Sequence, residues 1–121
     1  MQISSVLLLI TVVMMMSAGQ VLFKLAAQSI EFPERFDLLL WARALISPVT
    51  IAALTLYGVA TILWVLVLRD VALSRAYPFI AISLFVVPLC GILIFKENFS
   101  WGLVTGGGLI LIGVFIIAMD F

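Results

Sequence analysis

The chain has 121 residues, 66% of them hydrophobic and only 10% charged, with no histidine, where ordinary soluble domains carry about 25% charged residues. Six Lys and Arg balance six Asp and Glu, which leaves nothing in the overall charge to attract a nucleic acid, an acidic substrate or an anionic membrane surface. A water-soluble domain is thereby excluded, and the length fits a single small membrane domain over residues 1–121.

The charged residues leave four charge-free runs, 1–23, 44–68, 76–95 and 98–119, none shorter than 20 residues. About 20 apolar residues rising about 1.5 Å each cross the roughly 30 Å hydrocarbon core. A barrel strand would alternate apolar and polar residues, whereas Val6 to Ile10 and Leu109 to Ile112 are apolar on every side. Backbone in lipid must bond internally, so the fold expected is an all-α membrane protein with spans of about 3–25, 48–68, 76–95 and 101–119.

The first run lacks the positive start of a cleaved signal peptide, although Met14 to Gly19 offers a small-residue cleavage site; its long apolar stretch reads as a retained span. Gln28 to Asp37 is polar and broken by Pro33. Residues of about 36–44 are too short to cross and suit a helix lying in the interface. Ser47 and Pro48 read as the cap and first-turn proline of the second span, which ends near Leu68; a start near Trp41 is the alternative. The short link from Arg69 to Arg75 makes spans two and three antiparallel neighbours. Span three opens on Ala76-Tyr77-Pro78 and carries Pro88, where a bend is expected. Ser100 is a natural cap for span four, Trp101 to Met119. Trp41, Trp64 and Trp101 suit interfacial anchoring. The lone Cys90 has no disulfide partner in the chain and reads as a small core or lipid-facing residue.

No enzyme, cofactor or metal site is expected. Histidine is absent, the one cysteine stands alone, and no carboxylate falls within a span. Gly106-Gly107-Gly108 lacks the Lys-Ser/Thr of a phosphate loop. The informative polar residues are on the first span. Ser17, Gln20 and Lys24 are three and four apart, within about 60° of one another on a helix. Two readings stand side by side. In one, Lys24 extends to the headgroups and Gln20 bonds a neighbouring helix; in the other, the stripe walls a cavity that takes an anionic or hydroxyl-rich headgroup. On span four, Gly102, Gly106 and Gly113 share a face that lets a second helix approach closely, within the chain or between chains. Four helices enclose little room for a large solute, which favours association with a second chain, inserted the other way up. The basic residues divide four (Lys24, Arg35, Arg43, Lys96) against two (Arg69, Arg75), a bias that weakly favours both termini outside.

Ser17-Ala18-Gly19-Gln20 with Lys24, Leu63-Trp64-Val65-Leu66, Ala76-Tyr77-Pro78, Ile94-Phe95-Lys96-Glu97 and Gly106 through Val114 together resemble a four-helix member of the drug/metabolite transporter superfamily over nearly the whole chain. The pattern is similar to the small multidrug resistance family, whose resemblance implies an antiparallel dimer with helix four at the contact. That family's embedded glutamate would fall at Met16, which argues against proton-coupled export of cations. Ala-Gly-Gln-x-x-x-Lys and Ala-Tyr-Pro look more like the aminoarabinose undecaprenyl-phosphate flippase subunits. That resemblance implies a flippase subunit moving a polyprenyl-phosphate-linked sugar across the bacterial cytoplasmic membrane for envelope modification, as a homodimer or as a heterodimer with a related four-helix subunit. In this reading Lys24 attracts the phosphate, Gln20 and Ser17 bond the phosphate or sugar, Tyr77 lines the cavity, and Arg75 is a second phosphate contact or an interfacial anchor. The alternatives are a small-solute or multidrug exporter and a non-transporting subunit of an envelope enzyme. A carboxylate in the cavity would favour the exporter.

Overall fold

The computed structural model describes residues 3–31 and 33–120, and every regular element among them is helical. In chain order the helices are α1 (Ile3–Ser29), α2 (Leu38–Leu45), α3 (Pro48–Asp70), α4 (Leu73–Ile80), α5 (Ser83–Phe95) and α6 (Trp101–Met119). Among the described residues, four segments are long and apolar enough to cross a membrane: α1, α3, α4 with α5, and α6. Because the links between them are short, the spans alternate in direction. One end of the bundle carries the end of α1, the start of α3, the end of α5 and the start of α6; the other carries the opposite termini.

Local chemistry sets the boundaries. Asp37 caps α2 by accepting from the Leu39 N–H at 3.0 Å, and α2, at eight residues, is too short to cross. Ser47 accepts from the Thr50 N–H at 3.1 Å and Pro48 occupies the first turn of α3, so the second span starts there and not at Trp41. Ser100 caps α6 in the same way, accepting from the Leu103 N–H.

α1 is the central helix. It packs most extensively along α3 and also against α5 and α4, while α6 packs chiefly against α5 and α4. The α1–α3 seam uses small side chains. On α3 the buried positions are Ala53, Ala60 and Val67, one per two turns, which keeps them in line along α1. Gly19 marks the closest approach: a Cβ there would fall 2.5 Å from Cδ2 of Tyr57 on α3. At the end where α3 passes into α4, Leu9, Val67, Val71 and Ala76 form a buried apolar cluster.

The third span departs from expectation. The helix runs unbroken through Pro88 and is interrupted instead at Ala81–Ile82, between α4 and α5. There the backbone tightens to three-residue hydrogen bonds, from Ala81 N to Pro78 O, Ile82 N to Phe79 O and Leu84 N to Ala81 O, the spacing of a 3₁₀ turn. Leu84 N–H has thus turned away from the Ile80 carbonyl, and the Ser83 hydroxyl takes its place, donating at 2.6 Å. A satisfied carbonyl makes this interruption tolerable inside a bilayer.

Candidate substrate groove

Where α1 and α5 face each other near the loop before α6, a groove of about 570 Å³ opens. Its polar wall is Gln20, Lys24, Glu97 and Asn98, and its apolar wall includes Phe23, Val87, Pro88, Ile92 and Phe95. Lys24 is the 22nd residue of α1, which places it about 32 Å along the helix from Ile3, close to the far border of a roughly 30 Å core. A cation there can still be half hydrated while facing hydrocarbon.

Gln20 lies one turn deeper. Its side-chain amide donates to the Tyr57 hydroxyl, and the Tyr57 ring sits 5.4 Å from that of Phe23. Gln20 thus bonds a neighbouring helix and also lines the groove. Ser17 does not. It is 2% exposed and donates to the Val13 carbonyl one turn back at 2.8 Å, so its hydroxyl is committed to its own helix.

Glu97 is the residue that span counting missed. Lys96 closes α5 in a left-handed conformation, φ 54°, which a non-glycine residue adopts at a cost of about 1 kcal/mol. The turn folds Glu97 back over the helix: its N–H bonds the Gly91 carbonyl at 3.3 Å, and a Cβ on Gly91 would meet Glu97 Oε2 at 3.0 Å. Gly91 lies four residues inside the end of α5, about 6 Å along the axis. The carboxylate thus reaches to the level of Lys24, and Oε1 is 3.9 Å from its Nζ, both side chains about half exposed. A groove carboxylate exists after all, contrary to the sequence-based expectation.

The remaining expected residues lie at the other end. Arg75, near the start of α4, lines a separate cavity of about 960 Å³ with Ser4, Ser5 and Asp70. Tyr77 is exposed and borders a shallow apolar groove with Leu84 and Gly113. Neither reaches the Lys24 groove, because α4 starts on the opposite face of the bundle. On α6, Gly107 is the glycine packed within the chain, its missing side chain making room for Phe85. Apart from the adjoining backbone and neighbours of its own helix, no described atom comes within 4 Å of where a Cβ on Gly106 or Gly113 would lie, and at Gly102 only Ser100 Oγ does.

Similarity to known sequences decides the family. The chain is 35% identical over 112 residues, 87% of each protein, to the probable 4-amino-4-deoxy-L-arabinose-phosphoundecaprenol flippase subunit ArnF of Erwinia tasmaniensis. It is 34% identical over 111 residues, 92% of its own length and 94% of the relative's, to the corresponding subunit ArnE of Aeromonas salmonicida. The chain belongs to this flippase subunit family. The ArnE of Aeromonas hydrophila gives 33% over 112 residues, so the chain is about as similar to one subunit type as to the other. No family model and no solved structure matches it. As a family member it is a multi-pass membrane protein of transport type, and its groove can be read in those terms.

Proposed function

We propose that the chain is one subunit of a flippase that carries a polyprenyl-phosphate-linked sugar across the cytoplasmic membrane, with Lys24 receiving the phosphate. The observation that carries this reading is a cation at the hydrocarbon border, on a spanning helix, in a groove with one polar and one apolar wall. A phosphate leaving the headgroup layer needs charge compensation. Lys24 supplies it, Gln20 offers hydrogen bonds to the sugar, and the polyprenyl tail stays in lipid along the apolar wall. No bond is made or broken in this role. In this reading the subunit flips substrate downhill, drawn by consumption on the far side.

The working unit in this reading has two chains, in opposite orientations, with α6 at the contact. The uncovered Gly106 and Gly113 face, flanked by the exposed Leu109, is what a second copy or a related subunit would cover. Replacing Gly113 by Leu is expected to lower cross-linked dimer in membranes several-fold; unchanged dimer would move the contact elsewhere. The Glu97 carboxylate favours a second reading, export of small organic cations, but a lysine 3.9 Å away repels a lone cation that brings no anion to neutralise it.

Flipping is tested in inner-membrane vesicles from the native host, which retain any partner subunit. Undecaprenyl-phosphate-linked 4-amino-4-deoxy-L-arabinose is loaded in one leaflet, and membrane-impermeant periodate reads its arrival in the other. Faster arrival than in vesicles lacking the chain is expected. Equal rates with the chain folded and present would overturn the reading.

A further inference from the structure

We propose that Glu97 recognises an ammonium on the transported headgroup, so that Lys24 and Glu97 form a two-charge template for a zwitterion, phosphate on one side and amine on the other. This rests on the flippase reading above and assigns to Glu97 the selection of the amino sugar for which the relatives are named.

The geometry of the pair points to a ligand. At 3.9 Å the two side chains are within ion-pair reach but too far apart for a hydrogen bond, and among the described residues neither makes one elsewhere. Each keeps its hydrogen-bonding capacity: three donors on the ammonium, two acceptor oxygens on the carboxylate. Both are about half exposed and both line the same groove. A pair serving only to hold α1 to the α5–α6 link would gain little at this exposure, whereas the turn at Lys96 and the bare Cα of Gly91 bring the carboxylate into the groove wall.

Charge accounting gives the specificity. A polyprenyl phosphodiester carrying an uncharged sugar has a net charge of −1. Seated on Lys24 it would take the partner of Glu97 and leave two anions side by side. An amino sugar brings its own cation: its phosphate replaces the carboxylate at Lys24, and its ammonium replaces Lys24 at the carboxylate. Every charge keeps a partner. Glu97 therefore favours the amino sugar and penalises the uncharged one, and selectivity comes from both effects.

The test uses the same native vesicles with two lipids that differ in one group, undecaprenyl-phosphate-linked 4-amino-4-deoxy-L-arabinose and undecaprenyl-phosphate-linked L-arabinose; periodate reads the sugar of either. Wild type is expected to flip the amino lipid at least about tenfold faster, the scale of one charge-assisted contact. E97Q should bring the ratio to near unity, and Glu97→Asp, which keeps the charge, should retain a preference, all normalised to folded protein. A wild-type preference that survives in E97Q, or no preference in wild type while the amino lipid is flipped, would overturn the role of Glu97 and leave the flippase reading standing. Vesicles in which wild type flips neither lipid would sink both.

Discussion

The two ends of the bundle each hold a cation, a carboxylate and a cavity, yet they differ in where the charges stand relative to the helix ends. At the Arg75 end, Asp70 is the last residue of α3 and Arg75 the third of α4, so both belong to the headgroup layer, where charged residues are ordinary. At the Lys24 end the cation projects from a spanning helix five residues before that helix stops, and the carboxylate has been folded back four residues' depth along α5. The Arg75 cavity is the larger, about 960 against 570 Å³. Volume is therefore the weaker guide: a cation and a carboxylate drawn inward from the helix ends into one groove favour a functional role more than charges at a helix end do.

The strongest expected contrast between the ends is in turnover. Lys24→Met should lower flipping per folded protein by about 100-fold, the scale of losing a charge-assisted contact, with the fold intact. Arg75→Met should alter the amount of inserted protein and leave turnover within about twofold. Equal losses at both ends, measured with the same vesicle assay, would erase the distinction. Lys24→Arg should restore only part of the activity, because a planar guanidinium presents its donors differently from an ammonium.

Next in size is Gly19→Ala. Its Cβ would collide with the Tyr57 ring, and overpacking of this kind costs about 1–3 kcal/mol. Lower thermal stability in detergent is expected, and flipping should fall too, since Gln20 is adjacent. Tyr57→Phe is milder. It removes the acceptor of the Gln20 amide at about 0.5–1.5 kcal/mol and leaves the ring packing against Gly19. The smallest effect is expected at Gly91→Ala, whose Cβ would press on the Glu97 carboxylate at 3.0 Å and shift a flexible side chain by a few tenths of an ångström; substrate preference, measured with the two arabinose lipids, should move less than in E97Q.

The four spans were legible because charges mark their ends, and the Ser47 and Ser100 caps because a hydroxyl before an apolar run is a local signal. The interruption at Ala81–Ile82 was not: the eye goes to Pro88, while the break depends on how the Ser83 hydroxyl serves a carbonyl that the ladder has released. Helical spacing put Ser17, Gln20 and Lys24 in line, but spacing does not say that Ser17 bonds backward to Val13. The separation of Tyr77 from Lys24 could have been read from topology alone, since alternating spans put the start of the third opposite the end of the first. Glu97 could not, because nothing local announces that Lys96 will adopt a left-handed turn. Tyr57 carries a hydroxyl inside a span, and an intramembrane hydroxyl near an amide was a signal left unused.

The central claim is that the Lys24 groove holds the headgroup. An experimental structure of the protein with co-purified polyprenyl-phosphate sugar bears on it without an intermediary. The phosphorus should lie within ion-pair distance of Lys24 Nζ, with the sugar between α1 and the Glu97 turn and the tail running along the apolar wall. A headgroup seated only beside Arg75 and Asp70, with Lys24 still facing Glu97, would contradict the account.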